Sequence, residues 1–168
     1  MKIRIVSTSL MLLLVGGMLS AATAQEVDAF REISEHYEAI RLSLSKDTMI
    51  DVAEHARAIE HRVNQLGEDF DAGKAGVPAD KSSECKELLP EVSSAAARLA
   101  GSETLGQARE ALFDLSKPMG RYRKLAGVEG SMVVFCPMAK KAWIQPHGDI
   151  GNPYLGQEMP TCGQMIAD

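Results

Sequence analysis

The chain is 168 residues long and acidic, with a formal net charge of −5 at pH 7; 45% of its residues are hydrophobic and only 5% are aromatic. This length predicts one domain with a core large enough to fold without disulfides. The acidic balance argues against nucleic acid and anionic membrane surfaces as partners.

Residues 1–24 have the pattern of a secretory signal peptide. Two basic residues lie among the first four, residues 5–19 are apolar, and a small-x-small cleavage site ends at Ala24. The apolar run is too short to span a membrane. We therefore expect export to the bacterial periplasm, cleavage between Ala24 and Gln25, and no membrane anchor after processing.

After the signal, two stretches repeat apolar residues in steps of three and four, the pattern of a helix with one buried face. The two stripes are Phe30, Ile33, Tyr37, Ile40 and Leu44, and then Met49, Val52, Ala56, Ile59, Val63 and Leu66. The short link near Lys46 predicts that these helices are antiparallel neighbours, and Asp47 is predicted to cap the second one.

Two further helices are predicted over residues 80–100 and 105–126. Pro90 predicts a kink or a junction of two short helices in the first, and Pro118 predicts a bend in the second. Ser102 is expected to cap the last helix. The four segments together predict a mainly α fold, a four-helix up-and-down bundle.

The sequence composition changes at residue 127, and we call residues 127–168 the tail. A β-branched and aromatic run at residues 133–135 predicts a short strand, and frequent glycine and proline then exclude a helix. We expect one or two short strands with ordered loops, packed as a cap on one end of the bundle. Residues 25–168 are thus predicted to be a single helical-bundle domain with a tail rich in cysteine and methionine.

The tail contains two pairs of sulfur residues. Cys136 and Met138 are two apart, which on an extended strand points both side chains to one face. Met159 and Cys162 are three apart across a Pro-Thr step, a spacing that suits a turn. Two thiolates and two thioethers favour a soft ion such as Cu(I) over Zn(II), so the sequence predicts a copper site here.

Other tail residues are weaker candidates for the same site. Met165 follows three residues after Cys162, and His147 lies in a loop between a proline and a glycine. Trp143 and Tyr154 would shield a Cu(I) site from water and oxidation, or would simply form the wall of a small core.

A disulfide between Cys136 and Cys162 is the alternative interpretation of the tail. Exported cysteine pairs are usually oxidised, and such a bridge would staple the glycine-rich segment while the methionines serve as packing. In the chain-entropy model, a disulfide that closes a loop of this length stabilises the folded state by about 3 kcal/mol. The third cysteine, Cys85, lies on a predicted apolar stripe and is expected to be a buried, inert thiol.

The sequence offers little for catalysis, so we expect no enzyme. The serine-hydrolase, zinc-protease and phosphate-loop motifs are absent from the chain. His36, His55 and His61 lie on predicted helices and are expected to face solvent. No Cys-x-x-Cys-His motif is present, and we expect no haem.

A set of residues in the tail and helices also supports a family resemblance. The set is Cys136-Pro137-Met138-Ala139, Trp143-Ile144-Gln145, Ile150, Asn152-Pro153-Tyr154, Gly156, Met159 and Cys162-Gly163, together with Tyr37, the turn Leu44-Ser45-Lys46-Asp47, and Arg109, Phe113 and Ser116. With them the chain resembles the helical domain of unknown function found in periplasmic adaptor subunits of copper/silver-type efflux pumps and in stand-alone exported proteins. The resemblance implies a helical bundle with a metal-associated role, copper as the ion, and an efflux-pump adaptor or another resistance component as the partner.

Overall fold

The computed structural model describes residues 28–166, so the predicted signal peptide lies outside the described residues. Five helices come first: α1 (Ala29–Ser45), α2 (Val52–Glu68), α3 (Ala72–Ala75), α4 (Ser82–Ala100) and α5 (Leu105–Ala126). Three strands follow: β1 (Ser131–Cys136), β2 (Lys141–Pro146) and β3 (Gln164–Ile166). These elements confirm the prediction of a mainly helical fold with short strands at the C-terminus.

Helices α1 and α2 bury the stripes that the sequence predicts for them. The α1 stripe from Phe30 to Leu44 is buried, and so are the stripe residues of α2, namely Val52, Ala56, Ile59, Val63 and Leu66. Contacts run from α1 to α2, from α2 to α4, from α4 to α5 and from α5 back to α1. The apolar faces therefore meet in one core, which the strands at the end of the chain extend.

The helix starts differ from two of the predictions. Asp47 does not cap α2, which begins after Asp51, a residue with a φ of 60° and no capping side-chain bond. Ser102 does not cap α5 either; Thr104 does, in a reciprocal capping box with Gln107. Asp47 instead binds an arginine of α5, a contact between distant residues that local spacing could not indicate.

Both helix prolines lie inside continuous helices. Pro90 is at an exposed position of α4, so of the two predicted outcomes the junction of two helices is wrong. Its missing N–H leaves the carbonyl of Lys86 without a helical donor, and Lys86 is also exposed, where water can replace that donor. Pro118 is buried within α5.

The strands form one antiparallel sheet in the order β2-β1-β3. Between residues 127 and 166 the structure has three strands, where the sequence predicts one or two. In the register, Val134 of β1 lies between Trp143 of β2 and Met165 of β3. Strand β2 packs on α5 and α1, which places the tail against the helices.

Candidate functional site

The structure brings the two tail cysteines into contact. Cys136 is the last residue of β1, and Cys162 ends a turn in which its N–H donates to the carbonyl of Met159 at 3.1 Å. The two Sγ atoms are 2.6 Å apart, and both residues are free thiols. Cys136 has no exposed area and Cys162 is partly exposed, so the pair can be reached from the Cys162 side.

The two thiols have unequal acidity. Burial opposes charge on Cys136, but hydrogen bonds from the Cys162 thiol and from the backbone N–H groups of Ala139 and Met138 outweigh it and lower the pKa of Cys136. The same thiol contact, together with burial, raises the pKa of Cys162. Because the thiolate is the nucleophile and the metal ligand, Cys136 is the sulfur that ionises first.

Asn152 holds the Cys162 segment in place. Its Nδ2 donates to the carbonyl of Cys162 at 2.7 Å, and its own N–H donates to the carbonyl of Pro160 at 2.8 Å. Its Oδ1 accepts the N–H groups of Tyr154 and Leu155 at 2.8 and 3.0 Å. Asn152 is fully buried, so one amide side chain ties two loops together beside the thiols.

The three methionines proposed as ligands lie near the surface of this tail. Met138 is 67% exposed, Met159 37% and Met165 66%. Strand β1 ends at Cys136, and Met138 lies in the turn that follows, so the prediction that the two share a strand face is wrong. The backbone of Met138 still bonds to both thiols, which keeps this residue beside the pair.

His147 and Met165 line a separate cavity of about 470 Å³ at the other end of β1. The Nε2 of His147 is 2.9 Å from the carbonyl oxygen of Glu129. Within residues 28–166 no cluster of three or more His, Cys, Asp or Glu side chains could hold a metal. A third ligand beside the thiols would therefore be a thioether, a backbone group or water.

Trp143 and Tyr154 pack on each other, and the Trp143 ring lies next to Gly163, the residue after Cys162. Trp143 is fully buried, and its ring meets that of Tyr154 edge to face with centroids 5.8 Å apart. A Cβ on Gly163 would lie 2.6 Å from Val134 and 2.9 Å from the ring of Trp143, so only glycine fits there without a shift. The indole thus supports the residue that follows Cys162.

Two arginines anchor the tail to the helices. Arg109 of α5 donates to the carbonyls of Pro153 and Leu44, at 2.9 and 3.2 Å, and pairs with Asp47. Arg41 of α1 is buried and donates to the carbonyl of Gly151 at 2.6 Å. Arg41 is not among the residues predicted from the sequence; its one signal there is a charged residue directly beside the apolar stripe of α1.

The pairing of Asp47 with Arg109 predicts an acid-dependent contribution to stability. The Arg109 hydrogen bond, together with the N–H of Gln157, lowers the pKa of Asp47 below its usual 3.8. A lowered pKa stabilises the fold at neutral pH, and this contribution is lost as the pH falls through the lowered value. We expect Asp47→Asn to unfold at lower urea concentration than the wild type at pH 7, and the difference to shrink below about pH 4.

Urea unfolding of both proteins between pH 7 and pH 3 measures this gap. Asp80→Asn, at an exposed position in the connection before α4, controls for the loss of one negative charge. A gap between Asp47→Asn and the wild type that stays constant over the whole range contradicts the argument.

Cys85 is placed where the sequence predicts it, fully buried in α4. Burial raises the pKa of its thiol to about 11, an effect only partly offset by a hydrogen bond with Tyr122. A thiol that is neutral and enclosed at physiological pH neither binds metal nor attacks a disulfide.

No protein-family model matches this chain, and neither a curated protein nor a solved structure does. The resemblance to the efflux-associated domain therefore stays a prediction. Within residues 28–166, no helix is long and apolar enough to cross a membrane.

Proposed function

We propose that this protein is an exported, soft-metal-binding protein in which Cys136 and Cys162 hold Cu(I). The observation that carries the proposal is the direct contact of two thiols, 26 positions apart in the chain, with a Sγ–Sγ distance of 2.6 Å. Thiolate sulfur is a soft ligand that suits Cu(I), and the neighbouring thioethers favour Cu(I) over Zn(II). The lowered pKa of Cys136 favours the form of the thiol that binds metal.

Metal binding requires a small opening of the pair. Two sulfurs that share one ion at about 2.3 Å each lie about 3.8 Å apart in tetrahedral geometry, so the contact must widen by about 1 Å. Cys162 is the partner that moves, because it lies in a partly exposed loop, whereas Cys136 is fixed in the β1–β2 ladder. Met138 and Met159 are the thioether ligands we assign, with Met165 and His147 as more distant candidates.

Titration of the reduced protein with Cu(I) against a competing chelator tests the proposal. We expect one ion per chain, with proton release on binding and weaker binding in acid, since the ligands are thiolates. Replacing either thiol by serine removes one soft ligand, and we expect the affinity to fall by about a hundredfold or more, as for the loss of one arm of a chelate.

Cys85→Ser is the matched control, because it removes a thiol that lies in the core and leaves the pair intact. We expect it to bind Cu(I) as the wild type does. Equal Cu(I) binding by wild type and by the double variant Cys136→Ser/Cys162→Ser ends the proposal.

A disulfide-stapled interaction module is the second candidate function. It is favoured by the same sulfur contact, since two thiols already touching need little movement to reach the bond length of about 2.05 Å. Thiol counting on protein taken from the periplasm separates the two. One reactive thiol per unfolded chain, unchanged by copper, supports the staple; three thiols, two of them protected by Cu(I), support the metal site.

The same proposal includes the bundle type, the cellular location and the partner of this protein. We assign an up-and-down four-helix bundle to α1, α2, α4 and α5, supported by the order in which these helices contact one another. We also propose a periplasmic location, no enzymatic activity, and docking on an efflux-pump adaptor or other resistance component. These rest on the signal pattern of residues 1–24 and on the resemblance carried by the tail.

A further inference from the structure

Two histidines meet between α1 and α2, away from the sulfur residues. The Nδ1 of His36 lies 3.0 Å from the Nδ1 of His55, with ring centroids 5.2 Å apart and the rings inclined at 42°. Both side chains are half-buried. The sequence predicts that both histidines face solvent, and the pairing of the two helices instead brings them into contact with each other.

At this distance the two nitrogens must share either a proton or a cation. A neutral imidazole that carries its proton on Nε2 presents a bare lone pair at Nδ1, and two such lone pairs repel. The contact becomes favourable when a proton on one ring is shared with the other, or when a cation accepts both lone pairs. Neutral imidazole nitrogen is the commonest metal ligand among side chains.

The distance also fits a shared metal ion. With metal–nitrogen bonds of 2.0–2.1 Å, two nitrogens 3.0 Å apart subtend an angle of about 95° at the ion. That is the angle between neighbouring positions of a tetragonal site, the geometry that Cu(II) prefers with nitrogen and oxygen ligands. The angle is far from the nearly linear arrangement of ligands around a two-coordinate ion.

Within residues 28–166 no third His, Cys, Asp or Glu side chain joins this pair, so water would fill the other metal positions. Glu32, one turn before His36, is engaged by Arg62 at 2.7 Å, and Asp51, one turn before His55, is exposed. Because the imidazoles are only half-buried, solvent can complete the coordination. The net negative charge of the chain adds a general attraction for cations.

We propose that His36 and His55 form a second metal site, one that binds Cu(II) and bridges α1 to α2. It is chemically distinct from the thiol pair, since imidazole nitrogen suits the divalent ion and thiolate sulfur suits Cu(I). The protein would thus hold copper in both oxidation states at separate places. Binding at the imidazoles also ties two helices together and stabilises their contact.

The test uses the full chain with Cys136→Ser and Cys162→Ser, because free thiols would reduce Cu(II). Aqueous Cu(II) alone is the probe. We expect the electron paramagnetic resonance spectrum to show coupling to two imidazole nitrogens. His36→Gln and His55→Gln, each made in the same background, should each weaken binding by about a hundredfold, as for a chelate that loses one arm.

His61→Gln is the matched control, an exposed histidine on the same helix as His55. We expect it to bind Cu(II) unchanged. As a second measurement, Cu(II) should raise the Tm of the background protein and of His61→Gln but not of the other two variants, because the ion binds only the folded pair. A spectrum without two-nitrogen coupling, or equal weakening by His61→Gln, overturns the proposal, even if a glutamine variant fails to fold.

Discussion

Replacing Trp143 by alanine is expected to lower the free energy of unfolding by about 4 kcal/mol, the usual cost of truncating a fully buried aromatic side chain. The indole packs edge to face on Tyr154, lies against Gly163, and donates its Nε1–H to Gln145 at 2.9 Å. The cavity left by its removal would lie directly under the Cys162 loop. Urea unfolding followed by far-ultraviolet circular dichroism measures the loss.

Two further variants show whether the effect comes from packing. Trp143→Phe keeps a ring, and Gln145 Oε1 still accepts from the N–H of Gly151, so we expect a cost of about 1–2 kcal/mol. Val128→Ala, at a position 37% exposed, should change stability by less than about 0.5 kcal/mol. A loss below about 1 kcal/mol for Trp143→Ala contradicts the packing argument.

Asn152→Ala is expected to have the second largest effect, about 3 kcal/mol, because two N–H groups lose their acceptor. Those groups belong to Tyr154, which is buried, and to Leu155, which is partly buried. The variant also frees the carbonyl of Cys162 and removes a hydrogen bond that lowers the pKa of Cys136. We therefore expect both a weaker fold and a rise in the pKa of Cys136.

Asn152→Asp separates the two consequences. The carboxylate can still accept both N–H groups, so the turn is kept, but the donor is lost and a negative charge is placed beside Cys136. We expect only part of the stability to return, because the buried carboxylate faces the carbonyl oxygen of Cys162, while the pKa of Cys136 stays raised. The pH dependence of thiolate ultraviolet absorbance reports the pKa, and urea unfolding reports the stability. An unchanged Cys136 titration in both variants contradicts the assignment.

The helices were predictable because their signals are local. A step of three or four residues places apolar side chains on one face, and the stripes from Phe30 to Leu44 and from Val52 to Leu66 indeed face the core. The strand before Cys136 and the turn from Met159 to Cys162 were likewise visible in short runs of sequence. These features depend on neighbours in the chain.

What the sequence could not supply depends on contacts between distant residues. The bond from Arg41 to Gly151 joins residues 110 positions apart, and the approach of His36 to His55 depends on the register of two helices. Asp47 is a residue type that commonly caps a helix N-terminus, but its carboxylate accepts a hydrogen bond from Arg109 instead. The place of Met138 was missed because the strand ends two residues before it.

The enclosure of Cys85 has a consequence for how the chain matures. Three cysteines allow three different intramolecular bridges, and an oxidising compartment would sample all of them in an unfolded chain. Once α4 has packed, one sulfur is withdrawn from exchange, and only the two in the tail can still react with each other. Folding of the helices before oxidation would therefore leave a single possible bridge, with no wrong pairing to repair.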